Sequence, residues 1–264
     1  MNILVTNDDG VHAPGLLALA REMKKIGNVT VLAPDRNWSA CGHVKTMDRP
    51  LRVRETHLKD GTSALTSDGA PSDCVALALL GLVTESIDLV VSGINPNANI
   101  GNDITYSGTV MAAMEASIAG IPGIAFSYDR TLESSCESDF DPCARIAGKI
   151  VNAIMAQKEN GNLFFNVNVP ALPENQIKGI RVTRLGKRIY RDELVKKVDP
   201  HGHPYYWIGG EYPIAIPEPG TDAGALQSGY VSITPLSLDL TDQKGLKLMQ
   251  SWDLNLPLSD RTGE

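Results

Sequence analysis

The sequence predicts an α/β fold, with a mostly parallel sheet, helices on both faces and an irregular C-terminal arm. Short apolar runs at residues 2–6, 29–33, 88–94, 121–127 and 163–169 read as buried strands. Segments with apolar residues three and four apart alternate with them, which is the pattern of βαβ units. In the first such unit a helix separates two strands, so those strands must lie parallel.

The elements follow in order. Residues 2–6 form strand one, ended by Asn7-Asp8-Asp9-Gly10. Residues 14–26 form a helix: Leu16, Leu19, Ala20, Met23 and Ile26 make one stripe, Pro14 suits the first turn and Gly27 the stop. Strand two, residues 29–33, is closed by Pro34. The polar segment 34–46 begins where strand two ends, so a right-handed crossover puts it on the sheet edge that carries Asp8 and Asp9. Residues 51–54 and 64–66 alternate and suit a small hairpin. Residues 70–82 are nearly all apolar and predict a helix buried on most sides. After the strand at 88–94 comes a glycine- and asparagine-rich loop, 95–105. Ser107 then reads as the N-cap of a helix to residue 119, with Gly120 as its stop. The strand at 121–127 has its proline near the start, where proline is tolerated. Residues 142–157 read as a helix and 163–169 as a strand.

Beyond Ile177 the pattern weakens. Residues 178–184 and 205–216 read as strands, with charged, turn-like sequence between them that includes His201-Gly202-His203-Pro204. A short helix at 221–227, a strand at 230–233, a last short helix and a polar tail complete the chain. The expected organisation is a single domain over residues 1–264, its core mainly 1–170 and its arm roughly 185–264.

Composition narrows the function. The chain has 264 residues, 42% hydrophobic and 21% charged, which is enough for one sizeable core. No apolar run is long enough to cross a bilayer. The first residues lack the basic region of an export signal, and Asn7-Asp8-Asp9 interrupts the apolar run, so a cytoplasmic location is expected. Cys41, Cys74, Cys136 and Cys143 form no C-x-x-C pair; free thiols are expected rather than a zinc ribbon or a redox motif. A net charge of −7 argues against a nucleic-acid polymer surface. An anionic small molecule would then need a local device, such as a metal or a helix N-terminus.

Such a device is predicted on one sheet edge. Asp8 and Asp9 end strand one, Ser39 lies in the loop after strand two, Asn95 ends the strand at 88–94, and Ser107-Gly108-Thr109 starts the next helix. Every candidate ligand is an oxygen donor, which suits Mg²⁺ or Mn²⁺ rather than a dedicated zinc site. Two adjacent carboxylates repel, and a divalent cation removes the conflict. Asn95 and Ser39 complete the shell without adding charge. The backbone N–H groups of Gly108 and Thr109 and the helix dipole favour a phosphate beside the metal. A metal next to a phosphate nest is the equipment of a phosphohydrolase, because the cation polarises a phosphoryl oxygen and acidifies water. Each part alone has a plainer role. Paired aspartates cap turns, Ser-Gly-Thr caps a helix, and Ser39 by itself signals nothing. Their coincidence on one edge carries the expectation.

Other residues fit plainer roles. His201 and His203 have the types for a metal but no evident carboxylate partner. His12 and His43 suit satisfied surface histidines, with His12 near enough to Asp9 to meet substrate. Cys74 suits packing, and Asp68 and Asp73 suit the start of the helix at 70–82. The Ser107 hydroxyl suits capping better than nucleophilic attack, since no base is paired with it.

Asn-Asp-Asp-Gly stands at 7–10, Ala-Pro-Asp-Arg at 33–36 followed by Ser39, Gly-Ala-Pro-Ser-Asp-Cys-Val at 69–75, Ser-Gly-Ile-Asn at 92–95 and Tyr-Ser-Gly-Thr-Val at 106–110. Asn-Val-Asn-Val-Pro at 166–170, Gly-Thr-Asp at 220–222 and Gly-Tyr-Val-Ser-Ile-Thr-Pro-Leu at 229–236 carry the pattern over nearly the whole chain. In this order and spacing the stretches resemble the SurE survival protein family of metal-dependent 5′-nucleotidases. The resemblance implies a Rossmann-like core and a C-terminal arm used in homodimer or homotetramer formation. It implies one Mg²⁺ or Mn²⁺ per subunit held by Asp8, Asp9, Ser39 and Asn95, with Asp8, Asp9 and Asn95 at the chemistry. It also implies an anion-binding segment at Ser107, Gly108 and Thr109. The implied substrates are nucleoside 5′-monophosphates, extending to 3′-monophosphates and short polyphosphate. Two positions depart from the family pattern: Pro96-Asn97 replaces a loop that usually has a glycine two residues after Asn95, and Ala116 replaces a glycine after Glu115.

Two rival functions compete. A phosphatase with an aspartyl-phosphate intermediate typically carries D-x-D, whereas Asp8 and Asp9 are adjacent. A non-catalytic nucleotide-binding module wants G-x-G-x-x-G after strand one, and residues 9–15 do not supply it.

Overall fold

A computed structural model describes residues 1–130, 139–157 and 163–253. In chain order it contains β1 (Asn2–Thr6), α1 (Pro14–Met23), β2 (Asn28–Pro34), β3 (Val53–His57), β4 (Ser63–Ser67), α2 (Pro71–Leu77), β5 (Leu89–Asn95), α3 (Gly108–Ile118), β6 (Gly123–Asp129), α4 (Asp141–Met155) and β7 (Phe164–Pro170). β8 (Ile180–Val182), β9 (Lys187–Val198), β10 (Pro204–Ile216), α5 (Asp222–Gln227), β11 (Val231–Pro235) and α6 (Gln243–Met249) follow.

β1 is buried from Ile3 onward, because both faces of the sheet are covered. Ile3 and Val5 face one way, packed with Leu16, Leu19 and Met23 of α1 and with Ile150 and Val151 of α4. Leu4 faces the other way, onto Cys74 and Val75 of α2 and Ala112 and Ala116 of α3. This is period-two alternation between two apolar layers. The strand order is β3-β4-β2-β1-β5-β6-β7-β11-β8, in one nine-stranded sheet. Its pairings are parallel except β3–β4 and β7–β11. The expected α/β class with helices on both faces is therefore present.

The topology positions the site. The chain runs outward from β1 to β2 on one side and resumes with β5 on the other. Strand order reverses between β1 and β5, and in open α/β sheets a crevice opens beyond the carboxyl ends of the strands at such a point. Asp8 and Asp9 follow β1, and Asn95 ends β5. α1 approaches β5 so closely that a Cβ on Gly15 would lie 2.2 Å from the Ile94 carbonyl oxygen. Glycine is required there by space alone.

Three expectations need correction. The helix expected over 70–82 is regular only to Leu77 and continues as a π-helical turn, Ala78–Leu82. Its end is not buried: Leu80 is 82% exposed. The charged stretch read as turn-like contains β9, paired antiparallel with β10 as a separate two-stranded ribbon. Both faces of β9 are largely exposed, so it shows no apolar alternation to read. Within the region expected as an arm, β11 lies in the main sheet between β7 and β8, whereas β9 and β10 pair as a ribbon separate from that sheet. Cys41, Cys74 and Cys143 are free thiols, whereas Cys136 and the polar tail lie outside the described residues.

Phe126, fully buried on β6, is the largest such side chain. Phe126→Ala should lower unfolding free energy by about 3–5 kcal/mol, the cost of lost burial plus a cavity. Urea denaturation checks this; a loss below about 1 kcal/mol would mean that the core collapses around the gap.

Candidate active site

The turn after β1 is built by its own side chains. Asn7 is buried; its Oδ1 accepts the Gly10 N–H at 3.2 Å and its Nδ2 donates to the Gly10 carbonyl at 3.1 Å. Gly10 has φ +103°, a left-handed conformation that side chains disfavour. The tight turn sends Asp8 inward, where it is 4% exposed, and leaves Asp9 half-buried at the cleft. The next loop is tied to the same turn, since the Trp38 N–H donates to the Asp8 carbonyl at 2.7 Å. That bond brings Ser39, itself exposed, to the edge predicted from the crossover rule.

Asp8 meets the N-terminus of α3. The Thr109 hydroxyl donates to Asp8 Oδ1 in a short hydrogen bond, and the Gly108 and Thr109 backbone N–H groups also favour the charged carboxylate. A Cβ at Gly108 would lie 2.8 Å from the Asp8 Cβ, so only glycine lets the two segments meet this closely. Ser107 is the N-cap, its Oγ accepting the Val110 N–H at 3.1 Å. The donors of Gly108 and Thr109, expected to face a substrate phosphate, are thus occupied with Asp8, and Thr109 is fully buried. Of the three helix-start residues, Ser107 lines the cleft.

Burial dominates the electrostatics. It pushes the Asp8 carboxyl up against the opposing pull of those donors. Asp9 is pushed up to about 7, first by burial and then by the charge of Asp8, with the guanidinium of Arg130 working the other way. A bare pair therefore resists holding two negative charges.

Asp8, Asp9, Ser39, Asn95, Asn99 and Ser107 share one cleft of about 220 Å³. Asn95 Nδ2 donates to the Asn97 carbonyl at 2.6 Å, which leaves Oδ1 as the amide's free acceptor. Among the described residues no three His, Cys, Asp or Glu side chains form a metal-holding group. The donor set here is instead two carboxylates with neutral amide and hydroxyl oxygens. That set fits a hard divalent cation, whose charge would relieve the conflict between Asp8 and Asp9.

Several supporting residues were missed at the sequence level. Asn99 holds the loop after β5 in place. Its N–H donates to Asn168 Oδ1, its carbonyl accepts from both Asn166 and Asn168, and its amide donates to Ser127. Polar Asn166 and Asn168 within an otherwise apolar buried strand were the available signal. Asp222 accepts the Gly101 and Gly186 N–H groups, both at 2.8 Å, and so joins that loop to the chain entering β9. Buried Glu115 takes His43 at 2.8 Å and Lys45 at 3.1 Å, so His43 is an anchor rather than a bare surface histidine. Asp73 accepts the Ala70 N–H and both Thr46 donors, pinning the helix start as expected and the preceding loop as well. Cys74 is fully buried in packing, as expected. His203 has a carboxylate partner after all, with Nδ1 3.4 Å from Asp199. The two departures from the family pattern are accommodated: Ala116 is fully buried against α2, and the Pro96 carbonyl accepts from Arg130.

The Asp9 shift has a testable sign. With its folded pKa raised from 3.8 to about 7, the folded chain keeps a proton that the unfolded chain has released. Stability from this group is full below about pH 4 and is lost as pH rises through about 7. In EDTA, the melting temperature of the wild type should therefore fall relative to that of Asp9→Asn between pH 5 and pH 8. A difference that stays constant with pH would contradict the assignment.

Known proteins resemble this chain over most of its length. Residues 3–192 match the family described as Survival protein SurE. The chain is 52% identical to a 5′-nucleotidase SurE of Herpetosiphon aurantiacus, over 92% of this chain and 94% of that one. It is 49% identical to the 5′-nucleotidase SurE of Chloroflexus aggregans, over 96% and 99% of the two chains. The crystal structure of the SurE protein from Aquifex aeolicus superposes with a TM-score of 0.77 at 41% identity, covering 95% of this chain and all of that one. A switch-point cleft holding the Asp8–Asp9 pair, with relatives of this closeness and coverage, leaves one assignment: the chain belongs to the SurE survival protein family.

Proposed function

We propose that the chain is a divalent-metal-dependent phosphomonoesterase that converts nucleoside 5′-monophosphates to nucleoside and phosphate. The observation that carries the proposal is the Asp8–Asp9 pair, Asp8 buried and Asp9 half-buried, set against a helix N-terminus at the switch point. The relatives named 5′-nucleotidase support the substrate class. In this assignment Asp8, Asp9, Ser39 and Asn95 hold one Mg²⁺ or Mn²⁺ per chain. When bound, the cation would polarise a phosphoryl oxygen and lower the pKa of water. Gly108 and Thr109 orient Asp8, and the Ser107 edge of α3 receives the phosphate with the help of the helix dipole. Asn95 is kept in place by the anchored loop behind it. The same chemistry extends to 3′-monophosphates and short polyphosphate, which present the same terminal phosphoryl group.

The assembly reading rests on the ribbon. β10 exposes Tyr205, Tyr206, Trp207 and Ile208 in succession, an apolar surface unusual for a free monomer. A second copy of the chain would cover it, giving a homodimer or homotetramer. Among the described residues no helix is long and apolar enough to cross a membrane. Together with the free thiols, this favours a cytoplasmic enzyme.

Asp8→Asn should lower phosphate release from AMP by about 100-fold or more in saturating Mn²⁺, the scale of losing a charge-stabilising group. EDTA should do the same to the wild type. The variant should keep its fold, because Asn can still accept from Thr109 and no longer repels Asp9. Undiminished turnover in folded Asp8→Asn, or turnover indifferent to EDTA, would overturn the proposal.

A further inference from the structure

A second, larger cleft of about 450 Å³ adjoins the first and shares Asp9 and Pro96 with it. Its walls come from the start of α1, where Ala13, Pro14 and Gly15 are apolar, and from Arg130 and Phe140 across the gap. At its rim stand His12 and Asp35, both exposed. Nothing in the phosphate chemistry uses these groups. The volume is in the range of small-molecule sites and is larger than a phosphate needs.

Arg130 is held in an unusual way for a half-buried arginine. Its guanidinium lies over the ring of buried Phe140, 5.1 Å from the centroid. Its Nε donates to the Pro96 carbonyl at 3.1 Å. The stacked ring and the hydrogen bond together fix the plane of a delocalised cation at the side of the cleft. Such a plane suits stacking on an aromatic heterocycle, which lysine cannot provide.

Resting on the phosphomonoesterase assignment above, we infer that this cleft receives the nucleoside of the substrate, with the Arg130 guanidinium as the stacking platform for the base and His12 and Asp35 as polar partners at its rim. The division follows from the shared wall. A phosphate at Asp8, Asp9 and Ser107 fills the smaller cleft, and its ester substituent leaves past Asp9 and Pro96 into the larger one. The apolar wall of α1 faces the heterocycle, and the rim offers a donor or acceptor and a carboxylate to ribose hydroxyls or base edges. The third neighbouring cleft, at Asp103, Asp129 and Arg188, has apolar walls of its own in Ala98, Ile100 and Tyr212 but does not reach Asp9, past which the ester substituent leaves.

Two measurements test the inference. The first compares kcat/KM for AMP and for ribose 5-phosphate in Mn²⁺, for wild type, Arg130→Lys, Arg130→Gln and His12→Ala. The wild type should prefer AMP, and Arg130→Lys should narrow that preference about tenfold through KM, the scale of one base-stacking contact. Arg130→Gln, which keeps a planar group without charge, should retain part of it, and His12→Ala should also narrow it. Equal loss on both substrates, or an undiminished preference in the Lys and Ala variants, overturns the subsite. The second measurement titrates adenosine by calorimetry into wild type and Arg130→Lys in EDTA. Weaker binding to the variant supports the subsite even if no phosphate is released, in which case only the hydrolytic assignment falls. Equal binding, or none to the wild type, overturns the subsite whatever the turnover.

Discussion

Asp8 is buried against the first turn of a helix, and that contact constrains most of the site. A carboxylate removed from water is costly, and here the Thr109 hydroxyl and the N–H groups at the start of α3 offset only part of the cost. Asp9, next in sequence, adds its own charge to the same small volume. The turn closed by Asn7 and Gly10 forbids the two from separating. Gly108 is the counterpart on the other segment, since any Cβ there would strike Asp8. A chain that keeps this arrangement stores an electrostatic conflict at the reversal of its sheet, which a bound divalent cation would relieve.

The segments that complete the cleft have little regular structure, and side chains reaching to backbone groups hold them instead. Asn166 and Asn168 grip Asn99 from β7, and Asp222 grips Gly101 from the start of α5. On the other side Asp73 and Glu115 hold residues 43–46, behind the loop that carries Ser39. Each anchor begins on a rigid helix or strand and ends on a loop. Binding groups on loops are thereby set by the scaffold rather than by the loops themselves. The same logic links the ribbon to the cleft: Tyr190 and Arg188 of β9 both reach Asp103, which lines the smaller cleft.

How much was legible in the sequence follows from what each signal measures. β1, α1, β2, β5 and α3 were legible because both-sided burial and one-sided helical stripes leave distinct apolar patterns. β9 was not, because a ribbon exposed on both faces carries no such pattern and Lys187, Arg191, Glu193 and Lys196 look like loop. The helix after Ala70 is shorter than its apolar sequence suggests, because apolar residues in sequence do not reveal that Leu80 faces solvent. The grouping of Asp8, Asp9, Ser39 and Asn95 was legible through chain order and crossover handedness, which assign loops to sheet edges. The direction in which Gly108 and Thr109 turn their donors was not, since it depends on how closely α3 meets β1. Arg130 belongs to no motif and gains its meaning only from Phe140, Pro96 and Asp9 around it.

The central claim is that the Asp8–Asp9 pair is built around a divalent cation. Mn²⁺ binding to the purified chain without substrate, followed by electron paramagnetic resonance, tests it without reference to turnover. The account predicts one Mn²⁺ per wild-type chain and no bound ion in the Asp8→Ala, Asp9→Ala double variant, with the fold checked by circular dichroism. Stoichiometric Mn²⁺ binding that survives in the folded double variant would contradict it.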